Sequence, residues 1–213
     1  MIEVTKEAQI ILASASPRRR ELLEQIGVSA RVQAVDLDES RRKDEPALAF
    51  VQRLAMEKAQ LGYEIIDNAK KLPVLGSDTI VVINGDILGK PENRQNAKQM
   101  LQQLSAKKHT VHTSVAIVTD NKNVFATSSS EVHLKALDDE EIELYLDSGE
   151  ADDKAGAYAI QGIAAQFIVN INGSFSGVMG LPLYETAELL KQCGIQPLLS
   201  TAQKNSVPRA QRG

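Results

Sequence analysis

The sequence predicts a mixed α/β fold, with a twisted central sheet flanked by helices and two lobes around a cleft. Short apolar runs typical of strands intermix along the chain with amphipathic helical patterns. The pairs Asn84-Gly85 and Asn172-Gly173 signal hairpins, and hairpins require antiparallel strands. Hydrophobic residues make up 43% of 213, which is enough for a core. Together these observations favour a mixed sheet over a doubly wound parallel one.

The first part of the chain predicts two strands, two helices and a polar loop. Ser16 and Pro17 begin a helix, since serine caps a helix and proline fits its first turn, and Gly27 ends it. Pro46 opens a longer helix, in which Lys58 falls in phase with the apolar stripe. The strands are predicted at residues 9–13 and 30–35, and the polar loop at residues 36–45.

The remainder predicts three more helices and several strands. Asn93 caps one helix, Asp138 and Glu141 form the capping box of another, and Leu181-Pro182 starts the last. The strands are predicted at residues 73–76, 79–83, 86–88, 109–119, 124–134, 157–161 and 166–171.

Length, charge and cysteine content limit the function classes. We expect one domain over residues 1–199 and a disordered tail over 200–213, which has little to bury. A net charge of -4 argues against binding a nucleic acid polymer by bulk electrostatics. No apolar run approaches the ~20 residues of a membrane helix, and residues 1–9 lack a signal peptide's apolar segment. Cys193 is the single cysteine, so no intramolecular disulfide can form, and a reducing cytoplasmic location is expected.

A candidate phosphate site lies where the first strand passes into the first helix. Ser14 and Ser16 provide hydroxyls there, and Arg18, Arg19 and Arg20 provide three guanidinium groups. The N-terminus of a helix attracts anions, and arginine can bind phosphate oxygens bidentately. The alternative is an N-capped surface helix with a solvated basic turn. No Walker A motif occurs, which argues against a P-loop kinase or GTPase.

A candidate catalytic carboxylate, Asp78, lies between two apolar strand segments in Gly76-Ser77-Asp78-Thr79. A buried carboxylate without a partner is costly, so it would either ligate a metal or orient a water. The alternative is a turn whose backbone N–H groups satisfy it. A two-residue turn at Asn84-Gly85 would place Thr79 opposite Lys90, and a bulge or twist at Gly89 would be needed to bring Asp78 and Lys90 to one site.

Further candidates carry weaker signals. Lys58 could reach a phosphate from a cleft-lining helix face, although an apolar stem with a solvated ammonium is also expected for such a lysine. Glu39 could supply a second metal carboxylate, and Gln161 could read a nucleobase edge with its amide. Each has a plain solvated alternative, as does Lys154 with the aspartates before it. The three histidines form no zinc constellation.

Several segments, in this order, resemble the Maf family of nucleoside triphosphate pyrophosphatases, and the match covers about Ile10 to Leu190. The segments are Leu12-Ala13-Ser14-Ala15-Ser16-Pro17-Arg18-Arg19, Asp38-Glu39, Glu57-Lys58-Ala59, Gly76-Ser77-Asp78-Thr79-Ile80-Val81, Gly89-Lys90-Pro91, Ala155-Gly156-Ala157-Tyr158-Ala159-Ile160-Gln161-Gly162 and Gly180-Leu181-Pro182-Leu183. One departure is Ser114 in Thr113-Ser114-Val115, where Thr-Gly-Val is usual.

The resemblance implies an inosine-triphosphatase-like fold, a homodimer, and a divalent cation such as Mg²⁺, Mn²⁺ or Co²⁺. It implies that Asp78 is the catalytic carboxylate and that Asp78 and Glu39 hold the metal. The residues implied to bind phosphate are Ser14, Arg18, Arg19, Lys58 and Lys90. The residues implied to set substrate choice are Arg18, Thr79 and Gln161.

The expected reaction is hydrolysis of dTTP and UTP, and possible modified pyrimidine nucleotides, to the monophosphate and pyrophosphate. The segment ending in Gln161-Gly162 resembles the branch that acts on these nucleotides, whereas the sister branch acting on 7-methyl-GTP tends to have Glu at this position. Two alternatives stay open from sequence: a 7-methyl-GTP pyrophosphatase, and a non-catalytic nucleotide-binding regulator of septum formation.

Overall fold

The computed structural model describes residues 7–66 and 72–197. The strands are β1 (Ile10–Leu12), β2 (Ala30–Val32), β3 (Val74–Ile83), β4 (Asp86–Leu88), β5 (Lys108–Val118), β6 (Asn123–Leu134) and β7 (Ile168–Asn172). The helices are α1 (Pro17–Gln25), α2 (Ala47–Glu64), α3 (Arg94–Leu104), α4 (Asp139–Asp147), α5 (Phe175–Met179) and α6 (Leu183–Gln192). Two short 3-10 helices lie at Ala155–Ala157 and Ile163–Phe167.

The sheet is mixed, as the sequence predicts. Its order is β2-β1-β3-β5-β6-β7, with β4 paired to the free part of β3. Strand β1 runs parallel to β2 and β3, whereas the pairs from β3 through β7 are antiparallel. The two regions predicted at residues 73–76 and 79–83 form one continuous strand, so Asp78 lies inside β3 and not in a turn.

Aliphatic side chains build two main cores on the sheet. One includes Leu101, Leu104 and Ile142 beneath α3 and α4. The other includes Leu23 of α1 and Leu190 of α6. All five side chains are at most 1% exposed, and burying one such side chain contributes about 1.5–3 kcal/mol. The apolar stripes that predict these helices are therefore the surfaces that pack on the sheet.

Helix α2 packs on β3 at unusually close range because of one glycine. A Cβ built on Gly76 would lie 2.3 Å from the carbonyl oxygen of Ala55 and 2.6 Å from the backbone nitrogen of Ala59. No larger residue fits without moving the helix. Since Lys58 lies between those two alanines and Asp78 is two residues beyond Gly76 on the same strand face, this contact also positions the ion pair described below.

The predicted strand at residues 157–161 is wrong. The segment forms a short 3-10 helix followed by irregular chain. Gly156 and Ala157 have φ angles of +69° and +60°, which are left-handed values that a strand cannot contain. A Cβ on Gly156 would also lie 3.0 Å from Val81 Cγ2, so the chain turns here while pressed against β3.

The hairpin predicted at Asn172-Gly173 is wrong as well. Strand β7 ends at Asn172 and the chain enters α5, whose cap Ser174 accepts a hydrogen bond from Gly177 N. Gly173 serves close packing, since a Cβ there would lie 2.5 Å from Ser130 Oγ on β6. By contrast, the Asn84-Gly85 hairpin is confirmed, with Ile83 opposite Asp86.

The other element predictions are largely confirmed, with strand β2 shorter than expected at Ala30–Val32. The capping box of Asp138 and Glu141 forms at the start of α4. The tail expected over residues 200–213 lies outside the described residues.

Candidate active site

The predicted site residues converge on one cleft of about 310 Å³. Its lining includes Arg18, Arg19, Glu39, Lys58, Asp78, Thr79, Lys90 and Gln161, whereas the candidates Ser14 and Arg20 lie outside it. They come from α1, the loop after β2, α2, β3, the segment after β4 and the segment after the first 3-10 helix. Residues far apart in sequence thus form one hollow with a strongly charged lining.

Asp78 is a buried carboxylate with a cationic partner. It is 6% exposed, and its Oδ1 accepts a hydrogen bond from Lys58 Nζ at 2.7 Å. Burial raises the pKa of Asp78, while the nearby charges of Lys58 and Arg19 oppose that rise. A carboxyl group whose pKa is raised in this way is a stronger base than an ordinary aspartate.

Lys58 joins two carboxylates. Its ammonium lies 2.8 Å from Glu39 Oε1 as well as 2.7 Å from Asp78 Oδ1. The side chain is only 10% exposed, so the alternative of an ammonium reaching into solvent does not apply. The side chain of Glu39 is 51% exposed and stands at the cleft's open side. A single cation therefore brings the carboxylates of a loop and of a strand to one point.

Arg19 connects the walls of the cleft. Its Nε donates to Gly180 O at 2.9 Å, Nη1 to Ser14 Oγ at 3.0 Å, and Nη2 to Thr79 Oγ1 at 3.4 Å. These bonds account for the place of Ser14, which lies behind Arg19 and not in the cleft lining. Burial lowers the pKa of Arg19, but an arginine stays protonated in a protein. Much of its donor capacity is used to hold α1 to β3 and to the segment before α6.

Arg18 and Lys90 are less constrained. Arg18 Nε donates to Met179 O at 3.4 Å, and its guanidinium is 23% exposed. Pairing of β3 with β4 stops at Val81 and Leu88, so Lys90 belongs to irregular chain and not to a strand. The expected pairing of Thr79 with Lys90 is therefore wrong. Because Lys90 lies beyond the end of the strand, the alternation of side chains between the two sheet faces does not constrain it. Lys90 can therefore line the cleft without a bulge at Gly89.

Gln161 is exposed at the rim of the cleft. An amide that recognises a base must be accessible before the nucleotide binds. The segment before it is anchored by Tyr158, whose hydroxyl lies 2.7 Å from Nε2 of buried His109. Burial raises the pKa of Tyr158. Sequence reasoning missed Tyr158 as a cleft residue because an isolated tyrosine in a predicted strand carries no functional signal.

Ser114, the departure from the usual family motif, leaves β5 undisturbed. It pairs with Asp78 across the sheet, and its hydroxyl lies 2.7 Å from Thr127 Oγ1. The hydroxyl also contacts Ala126 O at 3.2 Å, so the extra polar group is satisfied.

The described residues contain no group of three or more His, Cys, Asp or Glu side chains that could hold a metal by themselves. His109 and His112 contact different partners, the hydroxyls of Tyr158 and Ser129, and an odd spacing along β5 places them on opposite faces of the strand. Within residues 7–66 and 72–197, no helix has the length and apolar character needed to cross a membrane.

Comparison with known proteins shows the family of the chain. The sequence model described as Maf-like protein matches residues 9–193. The dTTP/UTP pyrophosphatase of Chromobacterium violaceum is 46% identical over 90% of this chain and 98% of its own. The dTTP/UTP pyrophosphatase of Aliivibrio fischeri is 50% identical over 87% of this chain and 98% of its own length. The dTTP/UTP pyrophosphatase of Colwellia psychrerythraea is 50% identical over 87% of this chain and 89% of its own length.

Among solved structures, the Staphylococcus aureus Ham1 protein matches with a TM-score of 0.42 and 14% identity, over 92% of this chain and 97% of its own. That likeness is too distant to support an argument. The family match spans nearly all of the described chain, and the relatives are aligned over most of both sequences. The chain belongs to the Maf family.

Proposed function

We propose that this protein hydrolyses dTTP and UTP to the nucleoside monophosphate and pyrophosphate. The observation that carries the proposal is the meeting of Lys58 with both Asp78 and Glu39 in a cleft that Arg18 and Lys90 also line. Relatives at 46–50% identity over most of the chain bear the name dTTP/UTP pyrophosphatase. A pure binding site for a polyanion would have no need of a buried carboxylate at its centre.

In the proposed reaction a water oxygen forms a bond to the α-phosphorus. The bond between the α-phosphorus and the oxygen bridging to the β-phosphorus breaks, and that oxygen leaves with pyrophosphate. Asp78 takes the proton of the attacking water, and the raised pKa of Asp78 suits a proton acceptor. Lys58 orients this carboxylate, while Arg18 and Lys90 offset the charge of the triphosphate and of its leaving group.

The carboxylates fit a divalent cation such as Mg²⁺, Mn²⁺ or Co²⁺. Asp78 and Glu39 contact the same ammonium, so the two carboxylates lie close to each other. Mg²⁺ is commonly held by one or two carboxylates together with substrate phosphates, which agrees with a site that has only two. The ion would neutralise phosphate charge and polarise the phosphoryl group.

Gln161 is proposed to select the base. The edge of thymine or uracil presents a carbonyl oxygen beside an N–H group, which matches the donor and acceptor of an amide. A site built for such a pair of hydrogen bonds rejects bases that lack it, since its own polar atoms would be left unpaired. Thr79 and Arg18, which also line the cleft, are proposed to contribute to this selection.

The proposal also includes a homodimer and a cytoplasmic location. The free thiol of Cys193, half-buried in the structure, suits a reducing compartment. Sedimentation equilibrium of the purified protein tests the dimer, and a monomer at micromolar concentration would remove it from the proposal.

The test of function is pyrophosphate release by the purified protein across a nucleotide panel, with Mg²⁺ and with a chelator. We expect metal-dependent turnover, with dTTP and UTP preferred over purine triphosphates and 7-methyl-GTP. The Asp78→Asn variant should lose about 10²–10⁴-fold in kcat while staying folded, since that is the usual contribution of a positioned base. Preference for 7-methyl-GTP would overturn the base assignment, and binding without turnover would overturn the enzymatic one.

A further inference from the structure

The cleft lining contains a second group of cations besides Lys58. Lys154, just before the 3-10 helix at Ala155–Ala157, has a side chain only 14% exposed and lines the cleft together with Lys90 and Arg18. The backbone brings Lys154 and Lys90 near each other, since Gly156 N donates a hydrogen bond to Gly89 O at 3.0 Å. The segments that carry Lys154 and Lys90 are thus joined by a backbone hydrogen bond.

The positive charges in this group act on one another. Burial lowers the pKa of Lys154, and the charges of Arg18 and Lys90 lower it further, whereas Glu150 and Asp152 oppose the shift. Placing three cations together costs free energy unless an anion is bound among them. This arrangement differs from Lys58, whose charge is already matched by Asp78 and Glu39.

The carboxylate of Asp153 partly neutralises these positive charges. Asp153 forms an ion pair with Lys154 and lies 3.9 Å from Arg18 Nη1. Its side chain is 65% exposed, so it is free to turn towards solvent. Among the residues that the structure describes, Lys90 donates no hydrogen bond to a protein group. The group therefore keeps donors for a ligand, and Asp153 is the protein's own competitor for them.

We infer that Lys154, with Arg18 and Lys90, binds the two terminal phosphates of the triphosphate, and that Asp153 competes with them for these cations. The inference rests on the proposed function and assigns one of its contacts. It makes Lys154 a residue that holds the leaving pyrophosphate, while the Lys58 pair lies beside the α-phosphorus. Sequence reasoning left Lys154 undecided, since a lysine after two aspartates is usually a solvated charge.

The test is direct binding of inorganic pyrophosphate, with Mg²⁺ present, measured by titration calorimetry. Lys154→Met should weaken pyrophosphate binding about 10- to 100-fold, the range for losing one hydrogen bond to a charged group. Binding of dTMP, which lacks the terminal phosphates, should stay within about two-fold, since no such contact is lost. Asp153→Asn should tighten pyrophosphate binding, because the competing carboxylate is gone. Lys154→Arg should restore part of the affinity.

Controls separate binding from folding. Lys107→Met removes an exposed lysine that does not line the cleft and whose Nζ donates to Gln103 O, so it should leave both affinities unchanged. Equal weakening of dTMP and pyrophosphate by Lys154→Met, or a lower unfolding temperature in step with it, would indicate a structural role and overturn the inference. Weaker pyrophosphate binding by Asp153→Asn would overturn the competition.

The same proteins distinguish this inference from the proposed function. If wild-type protein fails to hydrolyse dTTP but binds pyrophosphate through Lys154, the function fails and the phosphate contact stands. If it hydrolyses dTTP and Lys154→Met leaves pyrophosphate binding and the KM for dTTP unchanged, the contact fails and the function stands.

Discussion

Lys58 on α2 and Asp78 on β3 form a buried ion pair, with 2.7 Å between Nζ and Oδ1. The two side chains are 10% and 9% exposed, so water screens their attraction little. Glu39 shares the same ammonium from a more exposed position. The pair therefore links a helix, a strand and a loop at the point where the proposed chemistry takes place.

Breaking this pair should cost stability as well as activity. Lys58→Met should lower the free energy of unfolding by about 3 kcal/mol, at the low end for a buried pair, because a carboxyl group whose pKa is already raised can take up a proton. The double variant Lys58→Met/Asp78→Asn should lose less than the sum of the two single variants. Urea unfolding of the four proteins measures this, and strictly additive losses would argue that the pair is not coupled.

Gly76 should be intolerant of even a methyl group. Gly76→Ala would place Cβ 2.3 Å from Ala55 O, so α2 must move away from β3 and draw Lys58 from Asp78. We expect a loss of roughly 3 kcal/mol or more, at the upper end for overpacking. Gly89→Ala is the matched control, since a Cβ there has no neighbour within 4 Å, and its unfolding free energy should change by less than about 0.5 kcal/mol. Comparable losses in the two variants would contradict the packing argument.

The family resemblance implied that Asp78 and Lys58 belong to one site, whereas the residues alone left each of them with a structural alternative. Asp78 lies among apolar strand residues, and Lys58 falls in phase with an apolar stripe. Charged side chains are rarely buried unless they are paired, so each of the two needs a partner if it is buried. The structure satisfies both with one contact. The prediction of a mixed sheet came from short apolar runs and from the Asn84-Gly85 turn, which are local signals.

What the sequence could not supply depends on tertiary contacts. The segment 157–161 has a strand-like composition, but Gly156 and Ala157 adopt left-handed angles, and the chain at Gly156 packs against Val81 of β3. Gly173 looks like a turn glycine, yet it serves a close approach to Ser130 on β6. The place of Lys154 in the cleft depends on the hydrogen bond between Gly156 and Gly89, which no local pattern indicates.

Arg53 should control the position of Glu39 without touching the cleft. Its Nε and Nη2 bind the two carboxylate oxygens of Glu45 at 2.7 and 2.9 Å, and Nη2 also donates to Ser40 O at 3.0 Å, next to Glu39. The hydrogen bond from Arg53 lowers the pKa of Glu45 to about 2, so this contact stays charged near neutral pH. The loop that carries Glu39 is thus fastened to α2.

We expect Arg53→Met to raise the Mg²⁺ concentration for half-maximal activity about ten-fold, as for loss of a group that orients a metal ligand. Arg42→Met is the control, because the Arg42 side chain is 67% exposed and pairs with Glu57, while the bond from Arg42 to Glu45 is donated by the backbone N–H and is kept in the variant. It should change the Mg²⁺ dependence little. Metal titrations of dTTP hydrolysis compare the two, and an equal shift in both would remove the specific role of Arg53.

His109 should make the protein less stable in mild acid. Burial lowers its pKa to about 4, whereas an unfolded histidine titrates near 6.5. Between these values the unfolded chain binds more protons than the folded one, so stability falls as pH decreases from 6.5 towards 4. The loss from this one group reaches on the order of 3 kcal/mol by pH 4.

His109→Gln keeps a nitrogen near the Tyr158 hydroxyl but cannot take up a proton at these pH values. The variant should start less stable at pH 7, since packing around the ring is lost, and should then lose less stability on acidification than the wild type. Urea unfolding at pH 7, 6, 5 and 4 measures the two curves, and their difference isolates the histidine. Parallel curves would mean that His109 is not the group whose protonation opposes folding, and that the buried contact with Tyr158 tolerates an imidazolium.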